Sequence, residues 1–297
     1  MLFTRIFPVF GVVLFAVLVG CSSDYVDPAA TAATENDAAI MAYNTTNNLK
    51  AQRVASGLYY VVSTPNPTGK MPALGDEVGY TYQFRTLQDR VIDMRDTTLY
   101  APFGTGQFIT DEPLKWIRVG ESAVFLLPSY LAFGSQAITY TEGTQTQTLP
   151  PYSPVRLDLT LVSSKTEDEQ IDQYVADNKL TVTEKTTTGL RFIKTQANPT
   201  GLLPATGQTV TVRYSGILIR GTTPFDPGTN PLILTLGRNE VVPGFEEGVR
   251  KLRQGEKATI IFPSSQGYGA PGRLQNNRYV IPPYAPLIFN LEVTSIQ

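Results

Sequence analysis

Val210-Thr-Val-Arg-Tyr214-Ser-Gly, Phe225-Asp226, Leu236-Gly, Val241-Val-Pro-Gly-Phe245-Glu-Glu-Gly-Val249, Gly267-Tyr268-Gly-Ala and Val280-Ile-Pro-Pro-Tyr284 follow one another in the last third of this 297-residue chain. Around them apolar residues recur at every second position. Val210, Val212 and Tyr214 alternate with Thr209, Thr211 and Arg213, and the same period runs through Leu232, Leu234 and Leu236, through Ala258, Ile260 and Phe262, and through Leu287, Phe289, Leu291 and Val293. A period of two predicts half-buried strands. One stretch breaks it: Phe245, Val249 and Leu252 stand at helical spacing. An antiparallel sheet needs cover for its apolar face, and inside this segment that helical turn is the candidate. The expected fold class is α+β, a twisted antiparallel sheet wrapped on a short helix.

Upstream the chain repeats itself at separations of 131 to 135 residues. Asn66-Pro-Thr-Gly69 recurs as Asn198-Pro-Thr-Gly201, and Gly75 recurs as Gly207. Tyr82 corresponds to Tyr214, Pro128 to Pro263, Phe133 to Tyr268 and Pro150-Pro-Tyr-Ser-Pro154 to Pro282-Pro-Tyr-Ala-Pro286. Ile40, Tyr43 and Leu49 match Ile171, Tyr174 and Leu180. A period this long means two copies of one module, here 37–164 and 165–297, and not a solenoid. Each copy opens with a short helix. In the second, over 166–180, Thr166-Glu-Asp-Glu169 has the capping-box form, with Ile171, Tyr174 and Val175 following at i, i+3, i+4. Its acidic residues read as a solvated first turn favoured by the helix dipole, and no metal is expected. The Asn-Pro-Thr-Gly segments and Gly104-Thr-Gly106 read as turns.

Composition is globular, 42% hydrophobic and 17% charged. A net charge of −2 gives no basis for nucleic-acid binding, which needs clustered Lys and Arg. At the N-terminus, Arg5 precedes an apolar run from Ile6 to Val19, too short for a comfortable membrane span. Residues 1–20 therefore read as a signal segment. Leu18-Val19-Gly20-Cys21 resembles the lipobox of bacterial lipoproteins, which implies cleavage before Cys21 and acylation of it. The alternative is an ordinary secretory peptide with an incidental cysteine. Cys21 is the only cysteine and has no internal disulfide partner. The expected product is lipid-anchored and faces the periplasm, with residues 21–36 as a flexible tether. Ser22 after the cysteine favours the outer membrane, by analogy with a sorting rule of some Gram-negative bacteria.

The order and spacing of the C-terminal segments resemble FKBP-type peptidyl-prolyl cis-trans isomerases, and the whole resembles gliding-motility-associated FKBP lipoproteins of Bacteroidetes. The resemblance implies an FKBP-like fold for both copies. It assigns the floor of a proline pocket to Phe245, where many relatives have Trp, and its walls to Tyr214, Phe225, Leu232, Val241, Val242 and Phe289. The N–H of Val242 would bind a substrate carbonyl. The Tyr268 hydroxyl would donate to the carbonyl of the twisting amide, Asp226 would orient Tyr214 or polarise the site, and Val280 and Ile281 would form a flap. Leu232 stands where an aromatic is common, and the loop from Ala270 to Tyr279 is longer than in the smallest relatives.

The chemistry suits a chain with no histidine. Rotation about an X–Pro bond faces a barrier of roughly 18–20 kcal/mol because the planar amide loses its resonance. An apolar site favours the twisted amide, which has lost its zwitterionic character, and a few donors fix the neighbouring carbonyls. Nucleophile, general base, metal and cofactor are all unnecessary. The partners implied are proline-containing segments of exported polypeptides. The first copy keeps Tyr82, Ile92-Asp93 and Phe133-Gly134 but lacks the phenylalanine before its aspartate and the hydroxyl of Tyr268. Its Phe108-Ile-Thr-Asp-Glu-Pro-Leu114 segment puts a proline where the floor helix would run, and Trp116 reads as core. That copy is expected to be FKBP-like with a degraded site, serving binding, spacing or dimerisation. Two rival readings of the whole remain: a chaperone that grips proline segments without turnover, and a scaffold lipoprotein of an envelope complex.

Overall fold

The structure is a computed structural model that describes residues 27–297. The signal segment 1–20, the Cys21 attachment point and the start of the tether lie outside the described residues. Among the described residues no helix is long and apolar enough to cross a membrane.

Helix α1 spans Pro28–Thr46, so residues 28–36 are helical and not a flexible tether. Asp27 caps it, accepting from the Ala29 N–H at 3.0 Å, with Pro28 at the first helical position. Alanine supplies propensity where apolar periodicity is faint, and Ala32, Asn36, Ile40 and Tyr43 form the buried face. The Asn36 amide donates to Tyr152 O at 2.9 Å, and its Oδ1 accepts from Ser129 N–H at 2.6 Å, which docks the helix on the first copy.

After α1 come β1 (Gln52–Arg53), β2 (Tyr59–Thr64), β3 (Glu77–Thr86), β4 (Val91–Pro102), β5 (Ser122–Leu127), β6 (Ile138–Glu142), β7 (Gln145–Leu149) and β8 (Val155–Lys165). The second copy runs α2 (Glu167–Asp177), β9 (Glu184–Lys185), β10 (Arg191–Gln196), β11 (Thr209–Leu218), β12 (Leu232–Thr235), α3 (Pro243–Arg250), β13 (Lys257–Phe262), β14 (Arg273–Gln275), β15 (Arg278–Ile281) and β16 (Leu287–Ile296). The first six-stranded sheet has the order β1-β2-β5-β8-β3-β4; the second, taken from its far edge, is β9-β10-β13-β16-β11-β12. Strand for strand the two orders are the same, so the repeat is one antiparallel topology used twice. Ribbons β6–β7 and β14–β15 stand apart in matching places.

The alternation read from the sequence places its residues on one face. Val210, Val212, Leu234, Ile260, Phe289 and Leu291 pack with Phe245, Val249 and Leu252 of the α3 region in one core. The opposite face also has an apolar patch, where Ile193, Ile261 and Ile288 lie beneath Ile171, Tyr174, Val175 and Leu180. Helix α2 thus covers what α3 cannot, and α1 does the same in the first copy through Ile40, Tyr43, Tyr59 and Leu126. The acidic turn of α2 is capped and exposed at Asp168 and Glu169, as the sequence implies, and it is anchored as well. Asp168 and Asp172 hold Arg191, itself only 1% exposed, and Glu167 accepts from both the N–H and the hydroxyl of Ser264. Burial pushes the Glu167 carboxyl up despite those donors.

The Asn-Pro-Thr-Gly turns prove to be plugs. Asn66 Nδ2 donates to Val119 O and Asn198 Nδ2 to Gln254 O, both at 2.7 Å. Buried Glu121 and Glu256 accept from the amides of Asn66 and Asn198. The same pair of bonds is made at corresponding residues of the two copies.

Candidate active site

Strand β11 delivers Tyr214 and Gly216 to the concave face. Gly216 and Asp226 exchange backbone hydrogen bonds of 2.7 and 3.3 Å, which closes the base of the connection to β12 and fixes Phe225 beside it. The Tyr214 hydroxyl donates to Asp226 Oδ2 at 3.0 Å, and the Gly228 N–H to Oδ1 at 3.1 Å. Of the two roles expected for Asp226, the geometry is that of orienting Tyr214. Burial first, and then the neighbouring Asp226 carboxylate, push the Tyr214 hydroxyl above the ordinary phenol value, so it stays protonated as a donor.

Four aromatic rings frame the site. Phe245, on the first turn of α3 and 3% exposed, meets Tyr214 edge-on at 5.5 Å and Phe289 edge-on at 5.1 Å. Phe225 meets Phe289 edge-on at 5.6 Å. Such contacts hold rings in fixed orientation and add to their burial. Leu232, Val241, Val242, Tyr268 and Val280 pack half-buried against this cluster. Ile281 differs from the flap role implied for it: at 1% exposure it belongs to the core, and half-buried Val280 is the ribbon residue at the site. Val242 is the N-cap of α3, and among the described residues its N–H has no acceptor. The same is true of the Tyr268 hydroxyl. Two unengaged donors therefore border an apolar, ring-lined site, and they are the two that the carbonyl-binding roles require.

Two residues escaped the sequence reading. Gly216 lies under the rings, where a Cβ would come within 2.6 Å of Phe289 and 2.7 Å of Phe225. A glycine inside a strand pattern was the available signal. The Arg273 guanidinium lies 5.8 Å from the centroid of the Tyr268 ring, on a ribbon whose sequence has no strong strand pattern.

The first copy keeps one part and has lost the rest. Tyr82 donates to Asp93 Oδ2 at 2.8 Å, as Tyr214 does to Asp226. Opposite Asp93, in the place of Gly216, stands Phe84, packed 5.4 Å from Tyr82 and 5.5 Å from Phe133. Leu157 faces Phe84 where Phe289 faces Gly216. In place of α3 there are only short 3-10 turns, Ile109–Asp111 and Pro113–Trp116. Trp116 packs on Tyr60 at 5.5 Å, both half-buried against the core of the first copy.

An antiparallel sheet crossed by one short helix, with an aromatic pocket between them, is the arrangement that the resemblance to rotamases implies for the second copy. Residues 202–294 match the family described as FKBP-type peptidyl-prolyl cis-trans isomerase. Over 93 residues the chain is 40% identical to an FK506-binding protein of Neisseria meningitidis serogroup B, covering 30% of this chain and 81% of that one. It is 37% identical over 97 residues to the peptidyl-prolyl cis-trans isomerase Fkbp12 of Drosophila melanogaster, covering 32% and 85%. The chain belongs to the FKBP-type family of peptidyl-prolyl cis-trans isomerases. Among solved structures, that of the three FKBP domains of wheat FKBP73 covers 82% of this chain and 96% of its own, at 21% identity and a TM-score of 0.38.

Proposed function

We propose that the second copy isomerises X–Pro bonds of exported polypeptides, at the pocket bounded by Tyr214, Phe225, Asp226 and Tyr268, while a lipid on Cys21 holds the protein at the periplasmic side of the outer membrane. The observation that carries the reading is the pairing of an edge-packed aromatic floor with two unengaged donors at its border. The prolyl ring rests on Phe245 between Tyr214, Phe225 and Phe289. Val242 N–H binds a substrate carbonyl, and Tyr268 Oη donates to the carbonyl of the rotating amide. The apolar walls disfavour the planar, zwitterionic amide relative to the twisted one. Asp226 acts through Tyr214, which it holds in place.

The filled first copy supports a non-catalytic role in holding clients or spacing the active copy from the membrane. The test is prolyl cis/trans exchange in a model peptide, followed by NMR. The unmodified protein accelerates exchange and tacrolimus blocks it. Phe225→Ala and Asp226→Ala each cut kcat/KM by about tenfold or more with unchanged circular dichroism. Full rates in folded variants would remove the pocket assignment. Loss of membrane association in Cys21→Ala, and fractionation with outer-membrane vesicles, test the anchor.

A further inference from the structure

The connection from β11 to β12 carries Phe225 and Asp226, yet much of it is on the surface. Residues 222–224, 227 and 229–231 are exposed. Its local ties are the Gly221 N–H bond to Leu218 O at 2.8 Å, the Gly216–Asp226 backbone pair, and the Tyr214 and Gly228 bonds to the Asp226 carboxylate. One more tie crosses to the other copy. Arg220 Nε and Nη2 donate to the two carboxylate oxygens of Glu77 at 2.5 and 2.6 Å. The same guanidinium lies 3.5 Å from the centroid of the Tyr100 ring. Glu77 begins β3 and Tyr100 lies on the adjoining β4, so both anchors belong to the first copy. The Glu77 side chain is 13% exposed. A planar fork closed on a carboxylate and stacked on a ring is a geometry that arginine can make and lysine cannot.

The surroundings keep this clamp in register. Beside it lies a cavity of about 180 Å³ lined by Tyr100, Pro102, Leu218, Ile219, Pro283 and Ala285. Next to the cavity the Tyr284 ring packs on Gly75 so closely that a Cβ there would lie 2.8 Å from it. The guanidinium is therefore held from the first copy, five residues before Phe225 in the sequence.

We infer that Arg220 is a positioning residue for the isomerase pocket: clamped on Glu77 and Tyr100, it holds the connection that presents Phe225 and Asp226, so the first copy sets the activity of the second. This rests on the isomerase reading above. A misplacement of about 1 Å can cost a large part of a rate, and this connection has few internal ties to prevent one.

The experiment uses the full chain and an uncharged prolyl peptide. Arg220→Ala and Glu77→Ala each lower kcat/KM by about threefold to fivefold, as fits a partly exposed pair. The double variant loses no more than either single, and the swap Arg220→Glu with Glu77→Arg recovers part of the loss. The backbone amide resonances of Phe225 and Asp226 shift in Glu77→Ala, although residue 77 lies in the other copy. Unchanged resonances, or additive losses in the double variant, overturn the inference. If an alanine variant does not fold, salt decides on the unmodified protein. Raising KCl from about 0.02 to 0.5 M screens the pair and lowers its kcat/KM, and a salt-independent rate overturns the clamp. An unmodified protein without turnover refutes the isomerase reading instead, and the amide resonances then decide the clamp alone.

Discussion

A methyl group added at Gly216 would enter the space of Phe225 and Phe289, with carbon contacts of 2.6 and 2.7 Å. The first copy shows what happens when that space is filled. Phe84 faces Asp93 as Gly216 faces Asp226, and its ring occupies the ground between Tyr82 and Phe133. Gly216→Ala is accordingly expected to cost about 1–3 kcal/mol of stability through overpacking, with a loss in kcat/KM larger than that stability change explains. Urea unfolding and the prolyl-peptide assay on one preparation measure both. Phe84→Ala makes the converse test. It removes a ring that is 5% exposed, so the first copy should lose about 3–5 kcal/mol. It should gain no turnover when assayed with Tyr268→Phe, because no helix stands where Phe245 forms the floor. That Phe225 and Phe245 lie together with Tyr214 and Phe289 was legible because their segments follow one another in the order that the family resemblance implies. The importance of Gly216 was not, since it depends on rings that reach it from two other elements.

Among the elements, β11, β12, β13 and β16 of the second copy were legible from their period of two, and α2 from its capping box, whereas β9, β10 and the β14–β15 ribbon carry no such period. What α2 does was not legible, because the second apolar face it covers is made of Ile193, Ile261 and Ile288, one from each of three strands. The plugs were hidden for a similar reason: Asn198 and its acceptor Glu256 lie 58 residues apart. Glu256 is 2% exposed, and Lys194 holds it at 2.9 Å. Burial pushes its carboxyl up, but the Lys194 ammonium and the amides of Arg253 and Asn198 more than reverse this, so it sits below the ordinary carboxylate value. A folded value below the unfolded one means that the group stabilises the fold above about pH 4.3. That contribution disappears as pH falls through the lower, folded value. Glu256→Gln should therefore be less stable than the unmodified protein at pH 7, and the gap should narrow on acidification. Urea midpoints taken from neutral to acid pH measure this, and a gap that stays constant would show that the carboxylate's charge contributes nothing.

At the scale of the whole molecule the two copies share a topology and a boundary but not a core. Each sheet encloses its own cluster of more than a dozen buried apolar side chains. The boundary sets partly exposed ion pairs beside a small apolar seam. Lys70 reaches Glu169 at 3.4 Å, Arg220 holds Glu77, and Pro102, Ile219 and Tyr284 line the cavity next to them. Exposed pairs contribute about 0.2–1 kcal/mol each, far less than a core does. The turn from β8 to α2 is abrupt, with only Thr166 between Lys165 and Glu167, which restricts how the copies can move but not whether each can melt. Calorimetry of the intact protein should therefore show two transitions and not one. Arg220→Ala should move the transition of the second copy by only about 2–4 °C, even while it lowers the rate severalfold, because presenting Phe225 needs far less free energy than holding a core together. A single transition whose calorimetric and van't Hoff enthalpies agree would mean that the boundary couples the two cores more strongly than its ion pairs account for. The apolar seam of Tyr284, Pro102 and Ile219 would then be the place where that coupling lies.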